Sequence, residues 1–116
     1  MTINVLGTEY TVSFKNDEEV CTTMGVSVGD CGGYCSAAAR EIVIANLDRC
    51  EDSDREKDEL KRCNLRHEIV HAFFNESGLQ SNSQSTDCWA RNEEMVDWIA
   101  IQGPKIYKAW QEAGAV

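Results

Sequence analysis

Basic charge is the first thing this chain lacks: 11 Lys and Arg residues stand against 20 Asp and Glu, for a formal net charge of -9. A phosphate backbone demands a positive footprint, so direct nucleic-acid binding is not expected, while basic or neutral partners are favoured. Long hydrophobic runs are also missing. The opening Met1-Thr2-Ile3-Asn4-Val5-Leu6-Gly7 carries no basic leader, and no apolar stretch is long enough to span a bilayer. These absences predict no membrane partner and a soluble, cytoplasmic protein. Histidine is scarce, at His67 and His71 alone, and the one proline, Pro104, marks the one expected helix kink. At 116 residues the chain fits one domain spanning 1–116, in which any site must be built from very few elements.

Cysteine, in contrast, is plentiful: Cys21, Cys31, Cys35, Cys50, Cys63 and Cys88. An even number in a short chain raises a disulfide framework, but a reducing cytosol predicts free thiols. Cys31 and Cys35 flank Gly32-Gly33, and their spacing departs from the C-x-x-C of structural metal sites.

Residues 2–14 alternate as a hairpin turning at Gly7-Thr8. Residues 16–30 stay open between a short helix from Asp17 and a strand over Val26-Ser27-Val28. After a turn at 29–33, Tyr34–Ser36 and Glu41–Ala45 are predicted as two strands joined near Ala38-Ala39. Ile42-Val43-Ile44 is apolar on both faces, which predicts cover on both sides of the sheet. Asp52, Ser53 and Asp54 supply helix N-cap chemistry, and Leu65, Ile69 and Phe73 recur every four residues until Ser77-Gly78 stops the helix. Residues 80–86 form a polar loop expected near the site entrance. A second helix is predicted from about Asp87 to Gln102, kinked at Gly103-Pro104 before restarting into Lys105–Glu112.

Both histidines fall in His67-Glu68-Ile69-Val70-His71. Positions four apart on a helix return to one face, so two imidazoles there can hold one metal ion, and Glu68 lies on the flank of that face as a candidate general base. A catalytic zinc site takes three protein ligands. Glu93, on the second helix, is the chosen third, with Glu94 its rival. Asp97 lies four residues beyond Glu93 among Met95, Val96, Trp98, Ile99, Ala100 and Ile101. That setting predicts a buried carboxylate, which requires a partner such as the outer N–H of a ligating histidine, or else Arg62, Arg66 or Arg91.

His67, Glu68 and His71 followed by Asn92, Glu93 and Asp97 resemble, position for position, the gluzincin pattern of thermolysin-like peptidases, H-E-x-x-H followed by N-E-x-x-x-D. By that resemblance His67, His71 and Glu93 bind Zn2+, Glu68 is the general base, Asp97 supports the histidines and Asn92 tethers the helices. The short chain and the sheet preceding the first helix look more like the compact ImmA/IrrE-type metallo-endopeptidases of bacteria and mobile elements, over roughly Tyr34 to Ile106, which suggests a phage or prophage relative. The implied fold is α+β and zincin-like: a short antiparallel sheet packed on the H-E-x-x-H helix, with a second helix bringing the third ligand. The implied activity is zinc-dependent peptide-bond hydrolysis, and the implied partner is a protein or peptide substrate, for this family a basic DNA-binding repressor. Thermolysin-like enzymes add a downstream histidine for the transition state, and this chain has none.

Tyr34, Arg66, Arg91 and Tyr107 are unranked candidates for stabilising an oxyanion. Cys63 and Cys88 are expected to be small buried hydrophobes rather than thiolate ligands, and Trp89, Trp98 and Trp110 core residues. The competing function is a non-catalytic, zinc-stabilised protein-binding or regulatory module, in which a protein side chain fills the fourth metal position.

Overall fold

The computed structural model describes residues 1–82, 92–113 and 116, and the account that follows is of these. The chain forms a small α+β domain built on a four-stranded mixed sheet of order β1-β2-β4-β3. The strands are β1 (Thr2–Val5), β2 (Thr8–Lys15), β3 (Gly33–Ser36) and β4 (Glu41–Ala45). The hairpin stands as expected, though its turn is at Leu6 and Gly7, both at positive φ, rather than at Gly7-Thr8. Gly7 meets that demand without a Cβ penalty, and its N–H is held by the Asn4 side chain at 3.0 Å. β3 and β4 also pair antiparallel.

The expected all-antiparallel sheet is corrected at its centre. β2 and β4 run parallel, with Thr11 opposite Glu41 and Lys15 opposite Ala45. A parallel pair needs a crossover, and the segment left open from 16 to 30 provides it as helix α1 (Asp17–Met24). Asn16 caps α1 by accepting from Glu19 N–H at 2.9 Å, and Gly25 ends it at φ 71°. Val26-Ser27-Val28 is therefore turn rather than strand.

Central strand β4 is covered on both faces, as its sequence implies. Ile42 and Ile44 join Val5, Tyr10, Val12 and Ala72 in one core cluster, against which Leu65 and Ile69 pack. Val43 and Ala45 join Val20 and Leu47 in the other, on the α1 side. Helix α2 (Asp54–Glu76) lies on the first of these faces. It starts in a capping box, where Ser53 Oγ accepts from Glu56 N–H and Glu56 Oε2 accepts from Ser53 N–H. Its far end is fastened to β2 by Thr8 and Tyr10, which donate to the Glu76 carboxylate at 2.9 and 2.8 Å. Gly78, at φ 77°, turns the chain into the short helix α3 (Leu79–Asn82).

The last helix, α4 (Glu93–Glu112), packs on α2 through buried Val96 and Ala100. It begins at Glu93 rather than near Asp87, Asn92 being non-helical, and positions 87–91 lie outside the described residues. It also continues through Pro104 instead of breaking there. Proline brings no N–H for the carbonyl four residues back, that of Ala100, and that carbonyl instead accepts from Arg66 Nε at 3.0 Å. An unpartnered buried carbonyl costs about 1–3 kcal/mol, so this side chain removes much of the penalty for an interior proline.

Candidate metal centre

On α2 the residues Asn64, His67, Glu68, His71 and Asn75 recur at helical spacing and line one cleft of about 530 Å³. Opposite them stand Gly33, Tyr34 and Cys35 of edge strand β3, while Glu93 and Asp97 of α4 close a third side. The glycine pair allows the close approach of β3. A Cβ on Gly33 would lie 2.5 Å from the Val43 carbonyl, and one on Gly32 would lie 2.4 Å from the Asn64 amide.

His67, Glu68 and His71 form a group that could hold a metal ion. The two Nε2 atoms are 3.1 Å apart. The Glu93 carboxylate reaches both, at 3.0 Å from His67 Nε2 and 3.3 Å from His71 Nε2. Donors about 2.0–2.1 Å from a tetrahedral ion lie about 3.3 Å from one another, and these spacings are of that order, with Glu93 meeting His67 through Oε2 and His71 through Oε1. Among the described residues this group includes no cysteine sulfur. Cys63 is half-buried and free, and Cys88 lies outside the described residues.

Asp97 fixes the chemistry of His67. Its Oδ1 lies 2.5 Å from His67 Nδ1, a contact that favours a proton on Nδ1. Nε2 faces the Glu93 carboxylate, an approach that a proton on Nε2 or a cation between the two groups would equally satisfy. Burial lowers the pKa of His71 as its first cause, with Glu93 opposing, which favours the neutral imidazole that metal ligation requires.

The partner expected for Asp97 is therefore present, but the reason given for it is corrected. Its side chain is 58% exposed, and Trp98 and Ile101 are exposed beside it. The apolar run predicts burial all round, whereas only the Val96 and Ala100 side of α4 is covered. The arginines go elsewhere: Arg62 pairs with Glu59 at 2.7 Å, Arg66 turns to Ala100, and Arg91 lies outside the described residues. Glu94 is exposed and makes no contact with the histidines, so Glu93 is the acid brought to them. Asn92, expected to tether the two helices, instead caps α4, its Oδ1 accepting from Met95 N–H at 3.0 Å.

Glu68 is 8% exposed and lines the cleft beside His67, 4.0 Å away. Burial pushes its carboxyl up to about 7; the neighbouring His67 opposes this, and Glu93 and Asp97 add to it. Cys35 shares the desolvated wall, and burial followed by repulsion from Glu68 and Glu76 pushes its thiol up to about 12. It is an unreactive lining group rather than a nucleophile.

Of the proposed oxyanion donors, Tyr34 packs into the α1-side cluster with its hydroxyl directed to Glu41, and Tyr107 is exposed on α4. Asn64 and Asn75 were missed, although they extend the His67/His71 stripe by one turn in each direction, a polar period legible in the sequence. Free thiols were expected throughout, yet Cys21 and Cys31 form a disulfide that ties α1 to the cleft wall; Cys35, Cys50 and Cys63 are free. Residues 83–86 of the polar loop, Trp89 and the Trp110 side chain lie outside the described part. Among the described residues no helix is long and apolar enough to cross a membrane. Comparison with protein-family models, with curated proteins and with solved structures finds no match.

Proposed function

We propose that this chain is a small zinc-dependent peptidase of zincin type, with His67, His71 and Glu93 as ligands and Glu68 as general base. One observation carries the reading: the triangle of two Nε2 atoms, 3.1 Å apart, and one carboxylate, whose Oε2 lies 3.0 Å from His67 Nε2 and whose Oε1 lies 3.3 Å from His71 Nε2. Zinc, when bound, supplies a Lewis acid for the scissile carbonyl. Glu68, buried beside His67, takes a proton from the attacking water and later gives it to the leaving amine. Asp97 holds the proton on His67 Nδ1, keeping Nε2 available. The open cleft beside the triangle leaves space for a peptide along edge strand β3.

The resemblance to ImmA/IrrE-type enzymes supports a regulatory protein as substrate, a basic DNA-binding repressor among them, and a phage or prophage setting. The charge of -9 is compatible with such a partner. A cytoplasmic location goes with that setting, and the Cys21–Cys31 bond is the observation against it, since reducing compartments keep thiols apart. The test is Glu68→Gln, measured for zinc content and for hydrolysis of a denatured protein. Zinc should stay at one ion per chain while hydrolysis falls about 10²–10⁴-fold. Undiminished cleavage overturns the general-base role, and a wild type that holds zinc without cleaving supports the non-catalytic module instead.

A further inference from the structure

On α4, Glu93, Asp97, Ala100 and Pro104 follow one another at intervals of four, three and four residues and so share a face. The first two meet the histidines, and Ala100, 2% exposed, lies against α2. Pro104 gives no N–H to the Ala100 carbonyl. On α2 the donor that reaches this carbonyl is Arg66, the residue immediately before His67, through Nε at 3.0 Å. Glu59, two turns earlier on α2, steadies the guanidinium from its other side at 3.6 Å. The rest of the interface around this bond is smooth and apolar: Ile69, Val70 and Phe73 face Ile99 and Gly103 across a groove. Apolar side chains of that kind resist separation but allow sliding. Apart from the contacts of Glu93 and Asp97 with the histidines, Arg66 to Ala100 is the directional contact between the two helices.

Resting on the zinc reading, we infer that Arg66 is a positioning residue: its bond to the carbonyl bared by Pro104 fixes the register of α4 against α2, and so presents Glu93 rather than Glu94 to the metal. A slip of one residue turns a helical side chain by about 100°, enough to exchange the two glutamates. Ala100 is seven residues beyond Glu93, about 10 Å along the axis, so the pin and the ligand sit on one rigid rod two turns apart. Proline is thereby useful here. It leaves open an acceptor that an ordinary helix interior would have closed.

The experiment measures zinc affinity by chelator competition, with a thermal melt beside each measurement, on the full chain as wild type, Arg66→Met, Arg66→Lys, Pro104→Ala and the Arg66→Met/Pro104→Ala double variant. Arg66→Met should weaken zinc about 10–100-fold, as loss of a supporting partner does, and Arg66→Lys, which keeps one donor, should recover part of it. Pro104→Ala returns an N–H to the Ala100 carbonyl, so the double variant should melt above Arg66→Met yet bind zinc as weakly. Glu94→Gln should leave wild-type affinity unchanged and weaken binding further in the Arg66→Met background, where Glu94 can reach the ion. Wild-type affinity in folded Arg66→Met, or in the double variant should the single one not fold, overturns the positioning role alone. A wild type that takes up no zinc overturns the metal reading and this inference together.

Discussion

Glu68 should destabilise the metal-free protein at neutral pH, and Glu68→Gln should therefore stabilise it. Its carboxyl is raised from 4.5 to about 7, mainly by burial. A raised acid binds its proton more tightly in the folded state, so its contribution is full below 4.5 and disappears as pH rises through about 7. The difference of some 2.5 units corresponds to about 3 kcal/mol, an order-of-magnitude figure for a side chain 10% exposed. Glutamine fills nearly the same volume without the charge. In chelator at pH 8 the variant should melt about 10 °C above wild type, at about 4 °C per kcal/mol for a domain of this size. At pH 5 the advantage should shrink to under about 1 kcal/mol, since the folded wild type then keeps its proton. Added zinc should narrow the gap at pH 8, because a neighbouring dication favours the carboxylate. Melting curves of the two proteins at both pH values, with and without chelator, measure all of this. Equal melting temperatures at pH 8 without metal would refute the argument that burial has raised this acid.

Three further perturbations test other parts of the structure. Asp97→Asn keeps the size of the side chain but loses the charge on His67 Nδ1, and should weaken zinc binding about 10–100-fold by equilibrium dialysis with little change in melting. Replacing Cys21 and Cys31 together by Ala removes a crosslink across ten residues, which should cost about 3 kcal/mol in denaturant unfolding. Peptide mapping after alkylation without reductant should find those two cysteines protected and Cys63 labelled. Gly33→Ala places a methyl group 2.5 Å from the Val43 carbonyl and should destabilise by about 2–3 kcal/mol, with a wild-type urea midpoint counting against the close strand approach.

Much of α2 was legible because its signals agree: N-cap chemistry at Asp52, Ser53 and Asp54, a four-residue apolar stripe, and a stop at Ser77-Gly78. The hairpin and the doubly covered β4 were readable from alternation and from its failure in Ile42-Val43-Ile44. Strand direction was not, because a parallel partner thirty residues away leaves no local trace, and residues 16–30 were ambiguous between helix and strand. The restart expected at Gly103-Pro104 ignored a donor on another helix. The burial assigned to Asp97 treated composition as environment, although its partner was named from chemistry alone. The pairing of Cys21 with Cys31 depends on where α1 packs, and six cysteines by themselves do not choose it.

The parallel pairing of β2 with β4 also sets an order of assembly. The helix that carries both histidines can form from neighbours in sequence, whereas the sheet face beneath it exists only after residues 8–15 have met residues 41–45. The carboxylate of Glu93 arrives by a separate closure, twenty-two residues beyond His71. The ion's cradle is thus completed by two long-range encounters, each with its own chain-entropy cost. Metal affinity should therefore report on the folded state of the whole domain, and a chain interrupted anywhere between the hairpin and α4 keeps the motif while losing the site.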